Sequence, residues 1–169
     1  MQITRQAKLS DVLKLGQKCS QNNNCCRHGS GCLIGEDKKK ISKFLGITEE
    51  KLIREYLDEK ELFNTKVLKP KLKSKEKPYG ECIFFDGKGC SIHDVKPLQC
   101  RVGNCGENGE GLSIWFMLNY LVNKDDPESI RQYHTYLKSG GKAIKGGKLQ
   151  ELVPDKEKLK QILSFEILK

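Results

Sequence analysis

Several things are missing from this chain of 169 residues, and each absence closes a door. No apolar run is long enough to cross a bilayer: the longest, Leu112 to Val122, is interrupted by Ser113, Asn119 and Tyr120, and MQITRQAKLSDVLKL at the N-terminus has no apolar stretch that would serve as a signal peptide. The expected compartment is therefore the reducing cytoplasm, where grouped cysteines hold metal or do chemistry more often than they form structural disulfides. There is no arginine-rich patch. The formal charge of +9 comes chiefly from lysine, spread from Lys8 to Lys169, and the densest run (Lys66, Lys69, Lys71, Lys73, Lys75, Lys77) has only Tyr79 nearby for stacking. That pattern reads as a solvated loop, and nucleic acid is not an expected partner. No glycine fingerprint for a nucleotide is present, since Gly87-Lys88-Gly89 and Gly103 stand alone. No C-x2-C knuckle occurs, nor the three-cysteine run of bacterial ferredoxins.

What the chain does have is eight cysteines in two groups of four: Cys19, Cys25, Cys26 and Cys32, then Cys82, Cys90, Cys100 and Cys105. Their spacings are C-x5-C-C-x5-C and C-x7-C-x9-C-x4-C. Thiolate is a soft ligand, so such a set selects zinc or an iron-sulfur cluster over calcium or magnesium, with a four-iron cluster among the alternatives, and the spacing does not choose between them. Neighbouring side chains diverge on extended backbone, which sets Cys25 and Cys26 against sharing one ion and leaves room for a cluster or a second ion. His28 and His93 are the available nitrogen donors and read as surface or supporting residues. Cys100-Arg101 places a thiol beside a cation, but no general base accompanies it, so no catalytic residue is assigned.

The remaining pattern predicts a mainly α fold with a small β-hairpin, a metal-stapled cysteine-cluster domain. Length and composition suit one domain, 1–169, with a metal-binding core over 16–105 and a helical C-terminal extension over 106–169. Helices are expected over Leu9 to Leu15, over Lys38 to Leu45 up to Gly46, and after an N-cap at Thr48. Glu36 and Asp37 read as acids that complement a helix start. Residues 62–77 read as an extended or irregular connection. The hairpin is expected at Cys82 to Phe85 and Cys90 to His93, turning at Asp86-Gly87-Lys88-Gly89. Pro97 would start a short turn bearing Cys100. Leu112 to Val122 reads as a core helix, Asp126-Pro127-Glu128 as a helix start, and Pro154-Asp155 as the start of a last amphipathic helix.

Taken together, Cys19, Cys25-Cys26-Arg27, Leu33 with Asp37, Cys82-Ile83-Phe84, Cys90-Ser91-Ile92-His93, Pro97 and Cys100-Arg101 resemble the YkgJ-type cysteine-cluster family of zinc- or iron-chelating domains, over roughly residues 16–105. The resemblance implies a ligand set of Cys19, Cys25, Cys26, Cys82, Cys90 and Cys100. Cys32 and Cys105 are additions to it. The chain departs from the pattern at His93, where a tyrosine is common, at Lys96, where an arginine is common, and at Val102-Gly103-Asn104, where an aromatic residue and a proline usually stand. The expected function is metal binding with a structural or redox role, with an unidentified protein partner. The alternative is a metal-dependent enzyme: in its cysteine region the family is similar to a flagellin lysine-methylating enzyme.

Overall fold

The computed structural model describes residues 3–77, 79–139 and Glu157. Contacts divide the chain into a unit of residues 1–123 and a unit of residues 124–169.

The first unit opens with α1 (Leu9–Gly16), then α2 (Asn24–His28), α3 (Asp37–Leu45) and α4 (Glu49–Tyr56). The local reasons match the sequence. Gly46 ends α3 at φ +66°, where a glycine carries no Cβ penalty, and the Thr48 hydroxyl accepts the Lys51 N–H at 3.2 Å to cap α4. The five-residue α2 is a difference: the cysteine pair lies on a helical turn rather than on extended chain.

The hairpin exists, but in another place. β1 (Leu57–Leu62) and β2 (Thr65–Pro70) pair antiparallel, with Leu62 opposite Thr65 and Leu57 opposite Pro70. The two-residue connection is Phe63-Asn64, both at positive φ (51° and 55°), as a tight hairpin turn of this length requires. The segment expected to be the hairpin, 82–93, is instead curled. It keeps only single bridges between Leu72 and Cys82 and between Phe85 and Cys90, then a 3₁₀ turn at His93–Val95. Within it, the Asp86 carboxylate accepts the N–H groups of Lys88 and Gly89 at 2.8 and 2.7 Å, and Gly87 sits at φ +95°. The turn chemistry was as expected; the flanking ladder was not.

After this come α5 (Leu98–Val102) and α6 (Gly109–Phe116), which runs on into a wider π turn over Met117–Leu121. The main apolar cluster joins Leu33, Ile41, Leu52, Leu57, Phe84, Phe85 and Ile92, with Tyr56 stacked on Phe84 at 5.6 Å between ring centres. Around α6, buried Leu112, Trp115 and Phe116 hold the N-terminal segment. Trp115 Nε1 donates to Ala7 O at 3.0 Å, and Asn119 Nδ2 donates to Arg5 O at 3.2 Å.

In the second unit, α7 (Pro127–Lys138) begins as its sequence dictates, with the Asp126 carboxylate accepting the Glu128 N–H at 3.0 Å and proline in the first turn. The expected last helix from Pro154 lies outside the described residues.

Candidate metal centre

Four tethers bring the two cysteine groups together. The Cys82 N–H donates to Cys26 O at 2.8 Å, and the Cys32 N–H donates to Gln99 Oε1 at 2.6 Å. Asn23 Nδ2 donates to Lys88 O at 2.9 Å, fastening the loop before Cys25 to the 86–89 turn. Asp37, 1% exposed, is the fourth: its Oδ2 accepts the N–H groups of Ile34 at 2.9 Å and Leu98 at 2.7 Å, and its Oδ1 accepts from Arg101 at 2.8 Å. The acid read as a helix-start charge is thus a buried anchor that sets α5, and with it Cys100, against α3.

All eight cysteines are free thiols. On the short helix α2 the sulfurs of Cys25 and Cys26 lie 4.0 Å apart. That corrects the expectation of diverging neighbours: the helical turn holds both sulfurs at nearly the edge length of a tetrahedral thiolate site, about 3.8 Å for Zn–S bonds of about 2.3 Å. Cys26 is the hub, hydrogen-bonded to both Cys25 and Cys90. It keeps its own proton, held far above the usual thiol range, and so lowers its neighbours, Cys25 to about 6 and Cys90 to about 7. Lys96 adds to both effects. The inner members go the other way. Burial pushes Cys82 up to about 11 and Cys100 up to about 12, and each is raised further by the charges of Cys25 and Cys90. Cys100 directs its sulfur toward Gly31, where an added Cβ would meet Sγ at 2.5 Å.

Cys25, Cys26, Cys82, Cys90 and Cys100 therefore form one electrostatically linked group. Cys105 is exposed, and the charges that act on it are those of Cys19 and Cys25. Cys32 stands apart: it is fully buried, raised by that burial, and the charged group acting on it is Lys69. His28 and His93 are both exposed, and His93 lies beside Asp94 (3.7 Å) and Lys96 (3.4 Å). Among the described residues no three His, Cys, Asp or Glu side chains are placed so that they could together hold a metal ion.

Three contributors were not foreseen. Gly31 makes room for the Cys100 sulfur, Lys96 lowers the outer thiols, and Gln99 holds the Cys32 backbone. A glycine between two cysteines and a lysine before Pro97 were the available signals.

Two other features lie away from the sulfurs. Several members of the lysine run have local partners: Lys66 pairs with Glu59 at 3.1 Å, Lys73 with Glu81 at 3.1 Å, and Lys71 Nζ donates to Arg54 O at 2.6 Å. A cavity of about 290 Å³ between Leu33, Gly35, Lys38, Lys66, Leu68 and Tyr120 has no cysteine in its wall. Among the described residues no helix is long and apolar enough to cross a membrane.

A family model described as "CxxCxxCC: Putative zinc- or iron-chelating domain" matches residues 18–114, more than half of the chain and all eight cysteines. The chain belongs to this family. No curated protein and no solved structure matches it.

Proposed function

We propose that the protein is a thiolate metal-binding module of the reducing cytoplasm, in which Cys25, Cys26, Cys82, Cys90 and Cys100 hold zinc or an iron-sulfur cluster and Cys19 stands at the edge of the same centre. The observation that carries this reading is the hub arrangement at Cys26. One thiol bonds two others from separate segments, with Cys25 at 4.0 Å, while the charges of Cys25 and Cys90 reach Cys82 and Cys100 in the interior.

The donor set fits a soft ion. A bound cation would favour the deprotonated form of the buried thiols, because its charge offsets the desolvation and the neighbouring thiolates that otherwise keep them protonated. The sulfurs come from α2, from the 82–90 loop and from α5, so one ion would cross-link three segments that share little regular secondary structure. Zinc would supply that cross-link alone; an iron-sulfur cluster would add one-electron chemistry. Cys25 is exposed, so solvent or a partner reaches the centre from its side.

The test is an oxygen-free purification followed by elemental analysis for zinc, iron and sulfide and an ultraviolet-visible spectrum. Stoichiometric zinc in a colourless protein supports a structural centre, and iron with sulfide and broad visible absorption supports a cluster. A reduced, folded protein that takes up neither zinc nor iron sinks the proposal.

A further inference from the structure

The outer edge of β2 is covered along part of its length and then left open. In an antiparallel pair the backbone groups of successive residues face alternately toward the partner strand and away from it. The Lys71 N–H donates to Tyr56 O at 2.8 Å on the β1 side, so the even-numbered residues of β2 face outward. The segment that carries Cys32 takes two of them: Ser30 Oγ donates to Pro70 O at 2.7 Å, and the Leu33 N–H donates to Leu68 O at 2.8 Å. Continuing that antiparallel run would set Gly35 beside Lys66. The chain leaves the edge instead, because Gly35 stands at φ +55° and Asp37 holds the Ile34 N–H at 2.9 Å, turning the backbone into α3. None of the described residues hydrogen-bonds the outward N–H or C=O of Lys66.

The cavity of about 290 Å³ lies at this fork. Its wall is apolar at Leu33, Leu68 and Tyr120 and carries two lysines, Lys38 and Lys66, with no carboxylate. The acids that pair with these lysines, Glu49 at 3.0 Å and Glu59 at 3.1 Å, lie outside the wall, and both pairs are solvent-exposed, so another carboxylate exchanges for them at little cost. Tyr120 comes from the π turn after α6, a widening of the helix often found at functional sites. Its ring is fixed edge-on to Trp115 at 5.7 Å and beside Phe116 at 5.3 Å.

We propose that this fork is the docking site for an extended, acidic segment of a partner protein, which continues the antiparallel run along β2 where the chain's own segment departs. The partner's backbone pairs with the N–H and C=O of Lys66, a carboxylate side chain meets Lys38 and Lys66, and an apolar side chain enters the cavity against Leu33, Leu68 and Tyr120. Main-chain pairing supplies affinity and the two lysines select the charge. The site holds no sulfur and does not depend on the metal-centre reading above.

The experiment titrates the full reduced chain into a fluorescein-labelled peptide of alternating glutamate and valine and reads anisotropy, with the Lys66 amide followed by NMR. Saturable binding that shifts the Lys66 amide is expected, and a lysine-valine peptide should not bind. The same acidic peptide N-methylated at alternate residues should bind about tenfold more weakly, the worth of a backbone hydrogen bond. Lys66→Pro should weaken binding more than Lys66→Ala, because it removes the edge N–H as well as the charge. Proline is tolerated at an outward edge position, so Lys66→Pro should keep the β1–β2 pairing and the wild-type zinc uptake. Equal binding of the N-methylated peptide overturns the strand pairing, whatever the fold of the variants. Absence of saturable binding, displacement by acetylglutamate at the peptide's own concentration (a small-anion pocket), or a β2 edge buried by self-association in sedimentation each overturns the partner site and leaves the metal centre standing.

Discussion

Arg101 donates to Asp37 Oδ1 at 2.8 Å, joining the residue after Cys100 to the start of α3. The carboxylate side chain is 2% exposed and the arginine 31%, and the other carboxylate oxygen takes two backbone N–H groups. This one buried acid satisfies three donors, one from the chain before α3 and two from α5. Asp37→Ala would leave all three without it, at a cost of about 3 kcal/mol, toward the low end for a broken buried pair because Arg101 still reaches water. The expected result in thermal unfolding is a melting temperature about 10 °C lower. A shift under about 2 °C would show that water replaces the carboxylate.

Gly31→Ala tests the space beside Cys100. The new Cβ would meet Sγ at 2.5 Å and the Cys100 N at 3.2 Å, so the thiol must turn away. Zinc affinity is expected to fall roughly tenfold to a hundredfold, the range seen when groups that orient a ligand are lost. Competition with a chelator of known affinity reads this directly.

Thiol reactivity should follow the two opposed shifts. In the metal-free reduced protein, Cys25 and Cys90 are lowered to about 6 and 7 by the hydrogen bonds of Cys26, so their thiolate fraction rises with pH through those values. They should alkylate at pH 7. Cys82 and Cys100, raised by burial to about 11 and 12, should stay unlabelled there. Mass-spectrometric mapping of iodoacetamide adducts against pH checks the order, and zinc loading should suppress labelling at all four.

Removing the metal should loosen the fold, because binding energy in a site built from distant segments is also folding energy. Cys82→Ser is expected to lose zinc and to melt where the chelator-treated wild type melts. If the variant keeps full metal content and the wild-type melting temperature, Cys82 is not a ligand.

The helices were legible because their signals are local. Thr48 caps α4, Gly46 stops α3, and Asp126-Pro127 starts α7, each through groups within four residues. β1 was hidden because Asp58, Glu59, Lys60 and Glu61 carry no strand preference of their own; pairing with β2 across the Phe63-Asn64 turn makes them a strand. The reverse error fell on 82–93, where apolar residues flank an Asp-Gly turn. There Phe84 and Phe85 are both buried in the core, so the chain curls instead of alternating faces. At the centre, the eight cysteines could be named from the sequence, but not their sorting. Separating Cys32 from the rest needed its full burial and the nearness of Lys69, which only the fold supplies.

The spread of the sulfurs along the chain also sets when the centre can be made. More than seventy residues separate Cys26 from Cys100. At about 5–20 residues per second, several seconds of synthesis pass between them. During that interval the first group lacks its partners from the second, among them the Cys82 N–H that donates to Cys26 O and the Lys96 charge that acts on Cys25. A centre that joins both cysteine groups, as proposed above, would wait until α5 has been made and has docked through Asp37.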